Sequence, residues 1–245
     1  MDIKLAVAQI SSLKGDIQAN TELHLHAISQ AAGQGVSYLV FPELSLTGYE
    51  PELAGELAFK LDDQRLQLFV EAASKHQMTI VVGAPIFGEP LPAIGCFIIS
   101  PSGEIKSYRK MHLHPGEDEY FASGREHHLV KIGNTTIANA ICADTGNVSH
   151  AEFCAELGAD VYVAGVLITA GGYSVDTALL RDYSKKHHML VAMANYSRPT
   201  GKWLPIGKSA VWWEGELLAV AGETENALVI AERHDKNWSA SVMSI

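Results

Sequence analysis

Strand-like and helix-like hydrophobic patterns alternate over the first third of the chain. The run IKLAVAQI (3–10) has the apolar density of a strand. NTELHLHAISQAAGQG (20–35) carries its apolar residues at helical spacing and stops at glycine. VSYLVF (36–41) is a second strand, LDDQRLQLFVEAASKHQ (61–77) a second helix, and TIVVGAPI (79–86) a strand apolar enough to be covered on both faces. Together these make a β-α-β-α-β unit. From residue 96 the pattern changes: CFIISPSGEIKSYRK (96–110) and LVKIGNTTIANAIC (129–142) each hold two strand-like runs around turn residues, as hairpins do. HAEFCAELGAD (150–160) returns to helical spacing. The strand VYVAGVLI (161–168), the helix SVDTALLRDYSKKHH (174–188), the strand MLVAMANYS (189–197), a hairpin KSAVWWEGELLAVA (208–221) and the strand ALVIAER (227–233) follow. The pattern predicts at least nine strands and four helices. Without a linker-like, low-complexity or repeated stretch between them, they are expected to form a single α/β domain over residues 1–245, with helices covering strands too apolar to face water.

Composition narrows the class of partner. With 47% hydrophobic residues the chain can bury a sizeable core. A formal net charge of -10, with no cluster of Lys and Arg, argues against nucleic acid as a partner. No run approaches the roughly 18 apolar residues of a membrane span, and no basic segment leading into an apolar stretch and a cleavage site opens the chain. The expectation is a cytoplasmic protein with no membrane partner. The three cysteines, Cys96, Cys142 and Cys154, form neither a disulfide framework nor a CxxC metal knuckle, so each is weighed as a thiol.

Ligand sites in open α/β sheets gather at the carboxyl ends of strands. Glu43 follows VSYLVFP, Lys110 closes EIKSYRK, and Cys142 closes TIANAIC. Singly, each has an ordinary structural reading as a turn residue or cap, a solvated charge, and a packed thiol. Together they form a chemical set. A thiol is mostly protonated at neutral pH, and a carboxylate can take its proton while an ammonium favours the thiolate and stabilises a developing oxyanion. Such a trio suits acyl transfer.

The surroundings of these residues resemble the nitrilase or carbon–nitrogen hydrolase superfamily, whose catalytic triad is Glu, Lys and Cys. The resemblance is carried by Gln9 and Asn20, FPELSLTGY around Glu43, YRKMHL around Lys110, GEDEYFASG around Glu117, ICAD around Cys142 with GAD sixteen residues later, AN at 194–195, and GKSAVWWEGELL near the end. Their order and spacing agree over nearly the whole chain. The resemblance implies a four-layer α-β-β-α sandwich that assembles as a homodimer or higher homo-oligomer, with Glu43 as general base, Cys142 as nucleophile and Lys110 beside the reacting carbonyl. It places Glu117 as a supporting glutamate and the Ala143 backbone N–H in an oxyanion hole. The implied reaction is hydrolysis of a non-peptide C–N bond of a small amide, an aliphatic amide or an ω-amido acid, through a thioester, with no metal and no cofactor. N-carbamoyl amine hydrolysis and nitrile hydrolysis on the same triad are alternatives, as is a catalytically silent binding or assembly module. Loops 49–58, 114–122, 143–149, 167–174 and 196–205 are expected to line the pocket, with Tyr49, Tyr120, Asn147, Tyr173, Arg198 and Trp203 as substrate contacts.

Several positions depart from patterns common in that superfamily: Ile94 in place of an Asn, Ser123 in place of a Pro, Thr145, Gly146, Asn147, Val148 and Glu152 after the nucleophile, and Ser184 in place of a Glu. None touches the triad. They bear on substrate and subunit contacts. Two other arrangements rank lower. Histidines at 112–114, 127–128 and 187–188 lack a thiolate or carboxylate at recognised metal-ligand spacing. A Cys142–His150 pair would leave Glu43 and Lys110 without a purpose. Cys96 and Cys154, the latter with Phe153 and Leu157, are expected to pack in the core, and AGGYS (170–174) to be a turn or pocket loop.

Overall fold

A computed structural model describes residues 3–245. The strands are β1 (Lys4–Gln9), β2 (Tyr38–Val40), β3 (Thr79–Ile86), β4 (Ala93–Ile99), β5 (Ile105–Arg109), β6 (His128–Ile132), β7 (Thr135–Ile141), β8 (Val161–Gly165), β9 (Leu190–Ala194), β10 (Ala210–Trp213), β11 (Glu216–Val220), β12 (Ala227–His234) and β13 (Asn237–Ser244). The helices are α1 (Ile17–Gly33), α2 (Ala54–Leu57), α3 (Gln67–His76), α4 (Val148–Glu156) and α5 (Tyr173–His187). One sheet has the order β13-β12-β1-β2-β3-β4-β5 and the other β11-β10-β9-β8-β7-β6. The runs β1-β2-β3 and β7-β8-β9 are parallel, and the remaining pairs are antiparallel.

Side-chain alternation builds the four layers. In β1, Leu5 and Val7 join the core between the sheets, together with Tyr38, Val81, Ile137, Val163 and Ala192. The alternate residues Ala6 and Ala8 face outward, where Ala27, Ile28 and Ala31 of α1 and Phe69 and Ala73 of α3 cover them. On the second sheet, Ala138, Tyr162 and Ala164 face Ala151 and Cys154 of α4 and Leu180 and Tyr183 of α5. Strands buried on both faces explain why β3 and β8 are continuously apolar. The Tyr38 hydroxyl donates to Asn139 Oδ1 at 2.8 Å, joining the two sheets through the core.

The boundaries shift where side chains compete with the backbone. Helix α1 begins at Ile17, earlier than its apolar pattern, because the Asp16 carboxylate caps it by accepting from Ala19 N–H. The helix expected from residue 61 begins as a 3-10 turn at Gln64 behind an Asp63 cap. Strand β8 stops at Gly165 instead of running to 168, because the Asn195 side chain claims both the N–H and the C=O of Ile168. Strand β13 was missing from the expected set. It is a mostly exposed edge strand with Trp238 as its buried anchor, so it offers no apolar run to recognise, and pairing along all of β12 holds it. Helix α2 is a single short turn that the sequence pattern also missed. Phe153 and Leu157 are exposed on α4 while Cys154 is buried, so the packing expected of all three holds for the cysteine alone.

Candidate active site

Glu43 follows β2, Lys110 follows β5 and Cys142 follows β7, and the folded chain brings all three together. The turn at Pro42-Glu43 is wedged between the sheets. Gly83 at the middle of β3 and Gly165 at the end of β8 press against it so closely that a Cβ at Gly83 would lie 2.4 Å from Pro42 O, and one at Gly165 would lie 2.5 Å from Phe41 O. Tyr196 adds a hydrogen bond from its hydroxyl to Glu43 O at 2.5 Å. Glu43 is thus fixed through its own backbone.

Lys110 is fully buried. Its Nζ donates to Glu43 Oε1 at 2.7 Å and to both carboxylate oxygens of Glu117 at 2.8 Å. Glu117 is held in turn by the Tyr49 hydroxyl and by His114 N–H, each at 2.7 Å. Glu43 Oε2 is buried and has no hydrogen-bond partner. One acceptor in the cluster is therefore left open.

Cys142 sits at a backbone elbow with φ 43°, in the left-handed region that costs a non-glycine residue about 1–3 kcal/mol. Asp144 holds the elbow to the Lys110 segment. Its buried carboxylate accepts from Ile141 N–H at 3.0 Å on one side, and from Met111 N–H at 3.0 Å, His112 N–H at 2.9 Å and the Tyr108 hydroxyl at 2.7 Å on the other. Thr145 Oγ1 donates to Cys142 O at 2.7 Å. Cys142 opens a 3-10 turn running to Gly146, and the first N–H groups of such a turn have no partner inside it.

Electrostatics set the resting protonation. Burial raises the Glu43 carboxyl to about 7 against the opposing pull of Lys110. Burial works against the Lys110 ammonium, but the charges of Glu43, Cys142 and Glu117 more than reverse it, so Lys110 stays protonated. Burial and the Glu43 charge push the Cys142 thiol well above its usual range, and Lys110 only partly offsets them. Lys110 thus pulls toward the thiolate, as the sequence led one to expect, but burial and the Glu43 charge outweigh it and at neutral pH the proton rests on sulfur.

A cavity of about 660 Å³ opens onto Glu43, Glu117, Cys142 and Ala143. Tyr49 and Trp203 line it, as does Asn147, whose side-chain oxygen is already engaged in capping α4 by accepting from Ser149 N–H. Tyr120, Tyr173 and Arg198, expected as contacts, do not line it. Tyr120 packs against the inter-sheet core, and the Tyr173 hydroxyl donates to Lys208 O at 3.2 Å. Leu167 and Thr169 line it from the loop 167–174 expected there, while the sequence reading missed His112 and Asp176 in the wall. Of these, Asp176 had a local signal, being a first-turn acid just beyond the Gly171-Gly172 loop.

The rival arrangements do not form. His150 is partnered on both ring nitrogens, by the Tyr162 and Tyr108 hydroxyls at 2.9 Å each, and its cysteine neighbour is Cys154 instead of Cys142. His127, His150 and Cys154 bring their ligand atoms within 4.8 Å of one another, with the His127 ring tilted against those of His150 and Phe153 at 4.7 and 4.5 Å between centroids. With both His150 nitrogens held by tyrosine hydroxyls, that ring keeps no free nitrogen for an ion.

The family profile described as carbon-nitrogen hydrolase matches residues 4–240, and the chain belongs to that family. It is similar to a glutamine-dependent NAD(+) synthetase from Thermotoga maritima, 32% identical over 203 residues that make up 78% of this chain and 34% of the synthetase. It is also similar to an (R)-stereoselective amidase from a Pseudomonas species, 29% identical over 171 residues, 69% of this chain and 60% of that one. The chain spans less than two thirds of the length of either relative. Its fold is that of an amidase from Nesterenkonia sp. AN1, with a TM-score of 0.87 at 23% identity, over 95% of this chain and 93% of the other. A variant of that amidase carries the acetamide moiety of fluoroacetamide covalently at its active-site cysteine.

Proposed function

We propose that this protein hydrolyses a non-peptide C–N bond of a small amide through a cysteine thioester. The observation that carries this reading is the 2.7 Å bond between Lys110 and Glu43, residues 67 apart in sequence, in a cavity that also exposes the Cys142 thiol. Cys142 Sγ attacks the amide carbonyl carbon as its proton passes to the open oxygen of Glu43. The Lys110 ammonium and the Ala143 N–H stabilise the resulting oxyanion. On collapse the C–N bond breaks, and Glu43 returns the proton to the departing ammonia or amine. Water, deprotonated by the same carboxylate, then cleaves the thioester to release the carboxylic acid and restore the thiol. Glu117 keeps Lys110 charged and aimed. A fixed carboxylate serving both half-reactions keeps each proton transfer local.

Aliphatic amides and ω-amido acids are the substrates this reading names, with N-carbamoyl amines and nitriles as alternatives on the same residues. The similarity to an (R)-stereoselective amidase supports the amide choice. Ammonia release over a panel of the four classes, with Cys142→Ala as control, tests it. An amide is expected to be the best substrate, and the variant is expected to lose about 10⁴-fold or more in kcat, as nucleophile deletions do. Unchanged activity in the variant would refute the mechanism, and no turnover of any class would favour a binding module. We also infer a homodimer, supported by Phe153 and Leu157, which are 45% and 49% exposed on α4. The described residues contain no helix long and apolar enough to cross a membrane, and a cytoplasmic location is part of the same proposal.

A further inference from the structure

The charges around the cavity are one-sided. Three carboxylates line it, those of Glu43, Glu117 and Asp176, and among the described residues no Lys or Arg does. Lys110 lies beneath the wall with its Nζ shared between Glu43 and Glu117. Of the two lining histidines, His112 is turned to Asp144, with Nδ1 3.1 Å from Oδ1. His114 is exposed at the rim beside Trp203, ring centroids 6.4 Å apart. The carboxylate end of an ω-amido acid would therefore meet no cation here.

Asp176 is the member of this set that the catalytic cluster does not use. It lies half-buried in the first turn of α5. A Cβ on Gly172, which also lines the wall, would come within 3.0 Å of Asp176 Oδ2, so the carboxylate extends over bare backbone at the cavity surface. Partial burial pushes its carboxyl up, and His114 is the titratable group that opposes the shift. The cavity lining also includes Thr169, Ile168 and Trp203, which offer no positive charge. The volume of about 660 Å³ leaves room for a substrate longer than a simple aliphatic amide.

We propose that Asp176 is a specificity-determining residue that binds a cationic group at the end of the substrate remote from the scissile amide, so the preferred substrates are amides bearing an amine or guanidinium. This rests on the amidase reading above and narrows it away from ω-amido acids. The apolar residues of the cavity wall, Val148, Leu167, Ile168 and Trp203, suit an aliphatic spacer between the two ends.

The test is ammonia release from three amides that share one chain and differ only at its end: 5-aminopentanamide, hexanamide and adipamic acid. The expected result is a kcat/KM for the amino amide about tenfold above hexanamide, as one partly shielded charge-assisted contact gives, with adipamic acid the poorest. Asp176→Asn, with its urea midpoint measured alongside, should bring the amino amide's kcat/KM down to that of hexanamide by raising its KM. A carboxylate that only stabilises α5 would instead shift the midpoint and leave the charge preference intact. Preference for adipamic acid, or an equal loss on all three amides in Asp176→Asn, overturns the subsite while leaving the amidase reading in place. Absence of ammonia from all three, with Cys142→Ala indistinguishable from wild type, overturns both.

Discussion

Gly165→Ala adds one methyl group at the point where β8 meets the Glu43 turn. The new Cβ would stand 2.5 Å from Phe41 O and 3.0 Å from Glu43 N. Restoring an ordinary 3.4 Å separation from the carbonyl requires an opening of about 0.9 Å. Both contacts are backbone, so no side chain can rotate away, and Gly83 closes the opposite side so tightly that a Cβ there would lie 2.4 Å from Pro42 O. Relief must come by displacing Glu43. Overpacking of this kind costs about 1–3 kcal/mol, and a displacement near 1 Å in a catalytic group costs roughly 10²-fold in rate. Alanine in place of glycine also stiffens the unfolded chain, which alone would stabilise by about 0.4–1 kcal/mol. The two effects oppose each other in sign, and the steric one is larger. Urea denaturation and steady-state ammonia release on the best substrate measure both consequences. Gly33→Ala at the end of α1, where the added Cβ meets nothing within 4 Å, is the control and should be neutral or stabilising with full activity. A Gly165→Ala protein with wild-type kcat and a raised urea midpoint would refute the claim that close backbone packing fixes Glu43.

The remaining predictions concern protonation and assembly. With Glu43 raised to about 7 and the thiol held far higher, alkylation of Cys142 by iodoacetamide should follow ionisation of the carboxyl, slow below pH 7 where the base is protonated and rising as it ionises. Glu43→Gln should remove that limb, and a wild-type rate that instead rises only in the ordinary thiol range would show that Glu43 is not the base. Sedimentation velocity should give a dimer mass, with Phe153→Glu shifting it to monomer, and a wild-type monomer at micromolar concentration would exclude the proposed assembly.

Local sequence carries some levels of this protein more fully than others. The parallel strands and their helices were legible because strands covered on both faces, such as β3, must be apolar throughout, and helices covering them must be amphipathic. Strand β13 was not legible, because an exposed edge strand is defined by its partner's hydrogen bonds and carries no pattern of its own. The three chemical residues stood out because Glu, Lys and Cys at strand ends have few uses together. The wall residues did not. Tyr173 and Asp176 lie in one helical turn, and only the packing of α5 decides that the aspartate faces the cavity while the tyrosine turns to Lys208.

By itself the sequence determined which groups were available: a carboxylate, an amine and a thiol at the ends of buried strands, in a chain apolar enough to hold them out of water. The tertiary structure decided their charge states and their neighbours. Burial without a full complement of partners lifts Glu43 toward neutrality, two carboxylates around one ammonium keep Lys110 charged, and burial with the Glu43 charge leaves the thiol protonated. Those balances depend on distances of 2.7 Å from Lys110 to Glu43, 67 residues away, and 2.8 Å to Glu117, 7 residues away. Coulomb energies and desolvation are set by such distances, and residue spacing along the chain does not encode them.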